Sequence, residues 1–202
     1  MSVDPDRGVE VTLPRRARLR DAAAAVAELQ PWIDRRVAEV DAARAEAASR
    51  GDAIPYLGGT LRLVPEPARR RAHRTGDVLR VPEDDPAAVE RWLRRAAREE
   101  ITPRAHRAAA ALGVDVARVT IRDPRTRWGS CSSSGSLSFS WRLVLAPEDV
   151  LDYVVWHEVC HLREMNHSPR YWALVARHCP GYEEQRRWLR RNATALRVAL
   201  SI

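Results

Sequence analysis

The chain has 202 residues, enough for one domain with a true core and a smaller appended lobe. It contains neither a run of about 18 apolar residues nor a charged-then-apolar leader, so we expect a protein that is not secreted and has no membrane partner. Its net charge of +7 arises from 34 basic and 27 acidic residues, and every basic residue is Arg. The absence of Lys is more typical of genomic base composition than of selection for binding phosphate. The charge therefore permits a nucleic-acid partner without favouring one.

Residues 1–85 are predicted to form an N-terminal region that packs on the core. An Ala-, Glu- and Arg-rich helix runs from Arg18 to about Ser49, and a second helical segment starts at Pro31, because proline forfeits a backbone hydrogen bond inside a helix. Gly58 and Gly59 predict the turn of a β-hairpin. The other predicted segments are a strand over Val9–Leu13, the hairpin over Tyr56–Val64, a polar loop over Pro65–Gly76 and a strand over Val78–Val81.

Residues 86–202 are predicted to form the core. Pro86–Leu112 has apolar residues at helical spacing, with a kink at Pro103 and a stop at Gly113. Three short strands and then three helices follow, the first of these helices after Pro147. The strands are predicted at Val119–Arg122, Arg127–Cys131 and Ser136–Ser140, and the last two helices at Ser168–His178 and Tyr182–Leu200.

The first of these helices contains a His-Glu-x-x-His motif, formed by His157, Glu158 and His161. Two histidines four positions apart project from the same helix face, so both imidazoles can bind one metal ion. Glu158 lies at the edge of that face, where its carboxylate can reach a metal-bound water without binding the metal. Apolar residues at helical spacing flank the histidines and indicate a buried helix, which favours firm metal binding.

A catalytic zinc needs a third protein ligand and an open position for water. His167, six residues past His161, is the candidate, provided that the helix stops between them, since a helical His167 would point away. Asn166 in a left-handed position, Ser168 as a helix cap and Pro169 in the following first turn predict such a stop.

Five other residues with suitable chemistry are weaker candidates. Glu183 and Glu184 are reserve ligands, although acidic residues at a helix start more commonly complement the helix dipole. Cys160 points about 100° away from the adjacent histidine on the helix, so we do not expect it to bind the metal. Ser130 and Cys131 have no base at readable spacing and are not predicted to be nucleophiles. The three cysteines of the chain are unpaired in spacing, which indicates a reducing compartment and predicts a cytoplasmic protein.

The strand Ser136–Ser140 directly precedes the helix that carries the histidines. An exposed edge strand beside a metal can pair with an extended peptide and lay a scissile carbonyl across the ion. We therefore predict that Ser136, Leu137 and Ser138 contact a peptide or protein substrate, with Tyr171 as a further substrate-binding candidate.

Five short motifs lie between about Val119 and Leu189: Arg127–Ser132 (RWGSCS), Trp141–Leu143 with Ala146 and Pro147, Tyr153–Leu162 (YVVWHEVCHL), Asn166–Ser168, and Tyr171 with Trp172. Together they closely resemble the YgjP-like metallopeptidase family, which is similar to the SprT-type zinc proteases. Two positions depart from the family pattern, because Ser140 stands where Asn is common and Tyr171 where Phe is usual. Neither position is a presumed ligand.

The resemblance implies a small zincin-like, gluzincin-type α+β fold with a small antiparallel or mixed sheet. It also implies that His157, His161 and His167 bind zinc and that Glu158 is the catalytic base. The implied reaction is hydrolysis of a peptide bond by a zinc-activated water, from which Glu158 takes a proton and delivers it to the leaving amine. Two other functions stay open. One is a metal-dependent hydrolase of nucleotide phosphoanhydrides, although oxygen ligands suit magnesium better than three imidazoles do. The other is a non-catalytic, zinc-stabilised module that binds nucleic acid or protein. The residues set no oligomeric state.

Overall fold

Nine strands and six α-helices follow one another in the residues that the computed structural model describes, which are 1–5, 7–14, 16 and 18–200. Backbone contacts divide the chain into two units, Met1–Gly51 with Ala193–Ile202, and Asp52–Asn192. The boundary predicted from sequence between residues 85 and 86 lies within the second unit, and the division into 1–85 and 86–202 stays a prediction. None of the helices in the described residues is both long enough and apolar enough to cross a bilayer.

The first unit contains a two-stranded sheet and two helices. Strand β1 (Ser2–Asp4) pairs antiparallel with β2 (Gly8–Glu10), and helix α1 (Leu19–Glu28) is followed at once by α2 (Gln30–Ser49). Pro31 lies in the first turn of α2, where its missing N–H costs no helical hydrogen bond. The predicted break in the long helix is therefore confirmed.

The second unit begins with a four-stranded sheet in the order β3-β4-β6-β5. Its hairpin turns at Leu57 and Gly58, whose φ angles of 47° and 81° are both positive, as a two-residue type I′ turn requires. The predicted hairpin is confirmed, although its turn lies one residue earlier than the predicted Gly58 and Gly59, because Gly59 already begins the second strand. The predicted polar loop contains β5, whose three exposed residues lack the alternation that marks a strand. The strands are β3 (Ala53–Tyr56), β4 (Gly59–Pro65), β5 (His73–Thr75) and β6 (Val78–Val81).

Helix α3 (Ala88–Leu112) is the longest element of this unit, and Pro103 lies inside it without ending it. The helix stops at Gly113, whose φ of 63° is left-handed and suits glycine. Small alanines occupy most of its buried side, so neighbouring elements can pack closely against it.

A three-stranded sheet follows, with β7 (Arg118–Arg122), β8 (Gly129–Cys131) and β9 (Ser136–Ser140). Strand β9 lies in the middle, parallel to β7 and antiparallel to β8. The prediction that Ser136–Ser140 is an edge strand is wrong, because both of its backbone edges are paired. Among the described residues, β7 and β8 each pair on one side only and are the two edge strands.

Three helices complete the unit: α4 (Glu148–Cys160), α5 (Pro169–His178) and α6 (Tyr182–Val198), which continues into the first unit. Helix α4 packs against α3, α5 and β8. Arg104 of α3 donates to Asp152 of α4 at 2.9 Å and also pairs with Glu148, so the two helices are joined by charge as well as by apolar packing. The small sheets and the three C-terminal helices confirm the predicted α+β class.

Candidate metal centre

Helix α4 carries the first two histidines of the predicted site. His157 lies in its last turn and His161 is the residue that follows the last helical one, with helical backbone angles. Their ring centroids are 5.1 Å apart. Glu158 lies between them and is only 5% exposed. The spacing of the motif therefore places two imidazoles and one buried carboxylate at the C-terminal end of a single helix.

The helix stop predicted before His167 is present but is made differently. The backbone amides of Arg163 and Glu164 both donate to the carbonyl of Cys160 at 3.0 Å, and the chain turns there. Asn166 does not adopt the predicted left-handed conformation. A turn stabilised by backbone hydrogen bonds thus ends α4 without the help of a special side chain.

The start of the next helix is as predicted. The hydroxyl of Ser168 accepts a hydrogen bond from the amide of Tyr171 at 3.3 Å, and Pro169 occupies the first turn of α5. His167 precedes this cap and is not part of either helix. The direction of its side chain is therefore not fixed by a helix, and the imidazole turns back toward α4.

The three imidazoles converge. The Nε2 atoms of His157 and His167 are 3.3 Å apart, and the ring of His161 lies 4.8 Å from that of His167. One ring nitrogen from each histidine lies within 4.8 Å of the others, and no Cys, Asp or Glu of the described residues joins this group. Two nitrogens bound to a tetrahedral zinc at about 2.0–2.1 Å would lie about 3.3 Å apart. The donor set and its spacing therefore fit a zinc ion with three protein ligands.

The electrostatics of the cluster favour neutral imidazoles at His157 and His161. Burial, together with the neighbouring His161 and His167, lowers the pKa of His157 to about 3. Burial also lowers the pKa of His161. A neutral imidazole keeps the lone pair that a metal requires, so these two residues can bind a cation without first losing protons.

Hydrogen bonds select one nitrogen of His161. Its Nδ1 lies 3.1 Å from the carbonyl of Glu164 and donates to it, which leaves Nε2 for a metal. The Nδ1 atom of His157 is buried and has no partner in the part of the chain that the structure describes. The orientation of His157 therefore depends on packing rather than on a second hydrogen bond.

Aromatic side chains surround the histidines. Tyr171 stacks on the ring of His161 at 4.5 Å between centroids, and Trp172 stacks on that of His167 at 5.5 Å. Tyr171 is fully buried, and its hydroxyl donates to the carbonyl of His157 at 2.8 Å. This bond ties α5 to α4. The hydroxyl of Tyr171 thus already has a hydrogen-bond partner within the protein. A contact between Tyr171 and the substrate stays a prediction.

Strand β8 closes the space beside Glu158. A Cβ atom at Gly129 would lie 2.5 Å from both Cγ and Oε1 of Glu158, closer than packed atoms approach. Burial raises the pKa of Glu158 to about 8, and the charge of Arg127 opposes that rise. The sequence analysis gave Gly129 no role. Its position inside a predicted strand could have indicated this contact, because a glycine in a strand often marks the close approach of another group.

The remaining predicted residues are not part of this metal-binding group. Ser136 and Ser138 are partly exposed on β9, whereas Leu137 is fully buried beneath the sheet. Cys160 is also fully buried, and burial raises the pKa of its thiol to about 12. Neither Cys160 nor the reserve ligands Glu183 and Glu184 belong to the metal-binding group found in the described residues.

A family model described as YgjP-like, metallopeptidase domain, matches residues 1–192 of the chain. Among solved structures, the metallopeptidase zymogen abylysin of Pyrococcus abyssi is similar, with 22% sequence identity and a TM-score of 0.41 over 45% of this chain and 93% of that chain. A comparison with curated proteins found no match. The family match includes the three histidines, Glu158 and Gly129.

Proposed function

Because the chain belongs to the YgjP-like metallopeptidase family and is therefore a peptidase, we propose that it is a zinc-dependent enzyme that hydrolyses peptide bonds with Glu158 as general base. The observation that carries this proposal is the convergence of three imidazoles beside one buried carboxyl group. Cytoplasmic location and a peptide or protein substrate are part of the same proposal.

His157, His161 and His167 would hold the metal. Three imidazoles suit zinc, and a three-ligand set leaves a fourth position open, as in catalytic sites. When bound, zinc polarises a carbonyl and lowers the pKa of water. The aromatic rings of Tyr171 and Trp172 stack on two of the three imidazoles and hold them in the conformation that binding requires.

Glu158 would move the proton. It follows His157 directly but is not part of the metal-binding group, so it keeps its oxygens for proton transfer. The positive charge of a bound zinc ion would lower the pKa that burial raises, so that the group would be an ionised base in the loaded enzyme. It accepts a proton from the attacking water and passes it to the nitrogen of the leaving amine. Burial and the narrow space beside Gly129 limit the positions of the carboxylate, which keeps this base oriented toward the reacting atoms.

The substrate would pair with the edge of β8 rather than with β9. Strand β8 borders Glu158 and has one backbone edge without a partner strand among the described residues, so an extended peptide can add to it by backbone hydrogen bonds. Ser136 and Ser138 remain proposed contacts for substrate side chains. Leu137 has a buried side chain and a paired backbone, and we assign it to the support of the sheet.

The decisive experiment is the Glu158→Gln variant, purified without chelators. We expect it to retain zinc, because the ligands are unchanged, and to cleave casein and a peptide library more slowly than wild type by about a hundredfold or more. The exposed Glu99→Gln variant is the matched control and should cleave at the wild-type rate. Wild-type activity in a zinc-loaded Glu158→Gln protein would refute the proposal.

A donor set of three imidazoles gives no support to a magnesium-dependent nucleotide hydrolase, which would use oxygen ligands. A non-catalytic zinc module would fill all four ligand positions with protein groups. The described residues provide three.

A further inference from the structure

One face of the three-stranded sheet is basic and rich in hydroxyl groups. Side chains alternate along a strand, so residues 118 and 122 of β7, 130 of β8, and 136 and 138 of β9 lie on one face, opposite the buried Leu137 and Phe139. Together with the preceding loop they line a depression of about 440 Å³. We call this surface the basic sheet face, and it comprises Arg118, Arg122, Arg127, Ser130, Ser136 and Ser138.

The positive charge of this face is not balanced locally. None of the residues that line the depression is acidic, and no ion pair is formed by Arg118, Arg122 or Arg127 with another described residue. By contrast, Arg142 just beyond β9 pairs with Asp123 at 3.0 Å, and Arg104 pairs with three acidic groups. Arg118 and Arg122 are therefore available to an external anion, and Arg127, whose charge also acts on Glu158, forms no ion pair that would keep it from one.

The face is continuous with the edge strand beside Glu158. Gly129 and Cys131 of β8 lie on the side of the sheet that faces α4, and Ser130 lies on the basic side. A peptide that extended the sheet along β8 would present alternate side chains to the two sides. Every second substrate side chain would then lie on the basic side, where Ser130 of β8 and Arg127 of the preceding loop come first. Arg118 and Arg122 lie two strands further across the sheet, on β7, and would act on the substrate through the positive charge that they add to the depression.

We propose that the basic sheet face binds acidic side chains of the substrate, so that the enzyme prefers peptides with Asp or Glu at alternate positions beside the scissile bond. This inference rests on the proposed function and adds a substrate class to it. Guanidinium groups bind carboxylates through paired hydrogen bonds, and the serine hydroxyls add further donors. Nucleic acid is a poorer fit, because the depression has no aromatic side chain on which a base can stack.

The test compares fluorogenic peptides that carry Asp and Glu with peptides of the same sequence that carry Asn and Gln. We expect the zinc-loaded wild type to show a kcat/KM ratio of about ten in favour of the acidic peptides, since each of two or three partly exposed charge pairs contributes a small factor. The ratio should shrink as ionic strength rises from about 0.05 M to about 0.5 M. The variant Arg127→Ser should bring the ratio close to one, and the double variant Arg118→Ser/Arg122→Ser should lower it by a smaller factor, because these two charges act from the far strand of the sheet. The exposed control Arg98→Ser should leave the ratio unchanged.

A binding measurement separates this inference from the proposed function. Fluorescence anisotropy of labelled acidic and amide peptides on the zinc-loaded Glu158→Gln protein needs no turnover, and tighter binding of the acidic peptide that is lost in the arginine variants supports the inference even if no peptide is cleaved. Equal binding and equal cleavage of the two peptides by wild type would overturn it. So would a labelled oligonucleotide that binds more tightly than the acidic peptide and depends on the same arginines, because that result assigns the face to nucleic acid.

Discussion

Helix α4 and strand β8 meet at Glu158 and contribute to the candidate site in different ways. Helix α4 supplies chemical groups, namely two imidazoles and the carboxylate itself. Strand β8 supplies a backbone edge that has no partner strand among the described residues and, at Gly129, a position without a side chain. The site thus depends on a set of ligands from one element and on a space left by the other.

Variants that remove the ligands and variants that fill the space should have different effects. Loss of a ligand removes the metal and all the chemistry that depends on it. Loss of the space leaves the metal in place and moves only the base, because Glu158 is not among the residues that could hold the ion. Variants in the two elements can therefore distinguish metal binding from proton transfer.

The largest effect is expected in α4. The variant His161→Ala should lower zinc affinity on the order of a thousandfold, because one of three ligands is lost, and peptidase activity should fall with the zinc content. Metal analysis together with peptide cleavage measures both. His106→Ala, an exposed histidine of α3 that lies outside the cluster, is the control. A His161→Ala protein that retained stoichiometric zinc after dialysis would show that the ligand set is assigned incorrectly.

The α4 contribution could be predicted from the sequence because it is local. The four-residue spacing of His157 and His161 places both on one helix face whatever the rest of the chain does. The return of His167 also follows from local signals, since Ser168 and Pro169 mark a new helix start. The turn that ends α4 is stabilised by backbone hydrogen bonds, which have no signature in the side-chain sequence. Its geometry therefore could not be predicted from Asn166.

The β8 contribution could not be predicted in the same way because it depends on sheet order. Three strands in a row along the chain indicate a sheet, but not that β9 lies between β7 and β8. That order comes from the parallel pairing of β7 with β9, which joins residues far apart in sequence. The prediction that Ser136–Ser140 is an edge strand was wrong for this reason. The close contact of Gly129 with Glu158 could not be predicted either.

A smaller effect is expected when the space in β8 is filled. In Gly129→Ala the added Cβ would lie 2.5 Å from Glu158, so the buried carboxylate must shift, and we expect kcat to fall by about ten- to hundredfold with little change in KM. Zinc content should match wild type. Gly59→Ala is the matched control, since its Cβ would meet no atom closer than 3.5 Å and its φ is not positive. Unchanged kcat in a folded, zinc-loaded Gly129→Ala protein would mean that the strand does not orient the base.

The smallest effect is expected at Cys131, which reports on the same contact from the strand. Burial raises the pKa of its thiol to about 11, and the charge of Glu158 adds to that rise. Because the thiolate is the reactive form, alkylation by iodoacetamide near pH 9, where most of Glu158 is ionised, should be roughly tenfold slower than for a free thiol, and faster as pH rises toward the pKa of Cys131. Removing the negative charge in Glu158→Gln should lower the pKa of Cys131 and speed its alkylation by a factor of about two to five. The acidic neighbours that raise the pKa of Cys179 are Asp152 and Asp149, so its alkylation rate, followed in the same digest by mass spectrometry, should not change. If both cysteines respond equally to Glu158→Gln, the variant has loosened the whole unit, and the specific approach of β8 to α4 is not what sets the reactivity of Cys131.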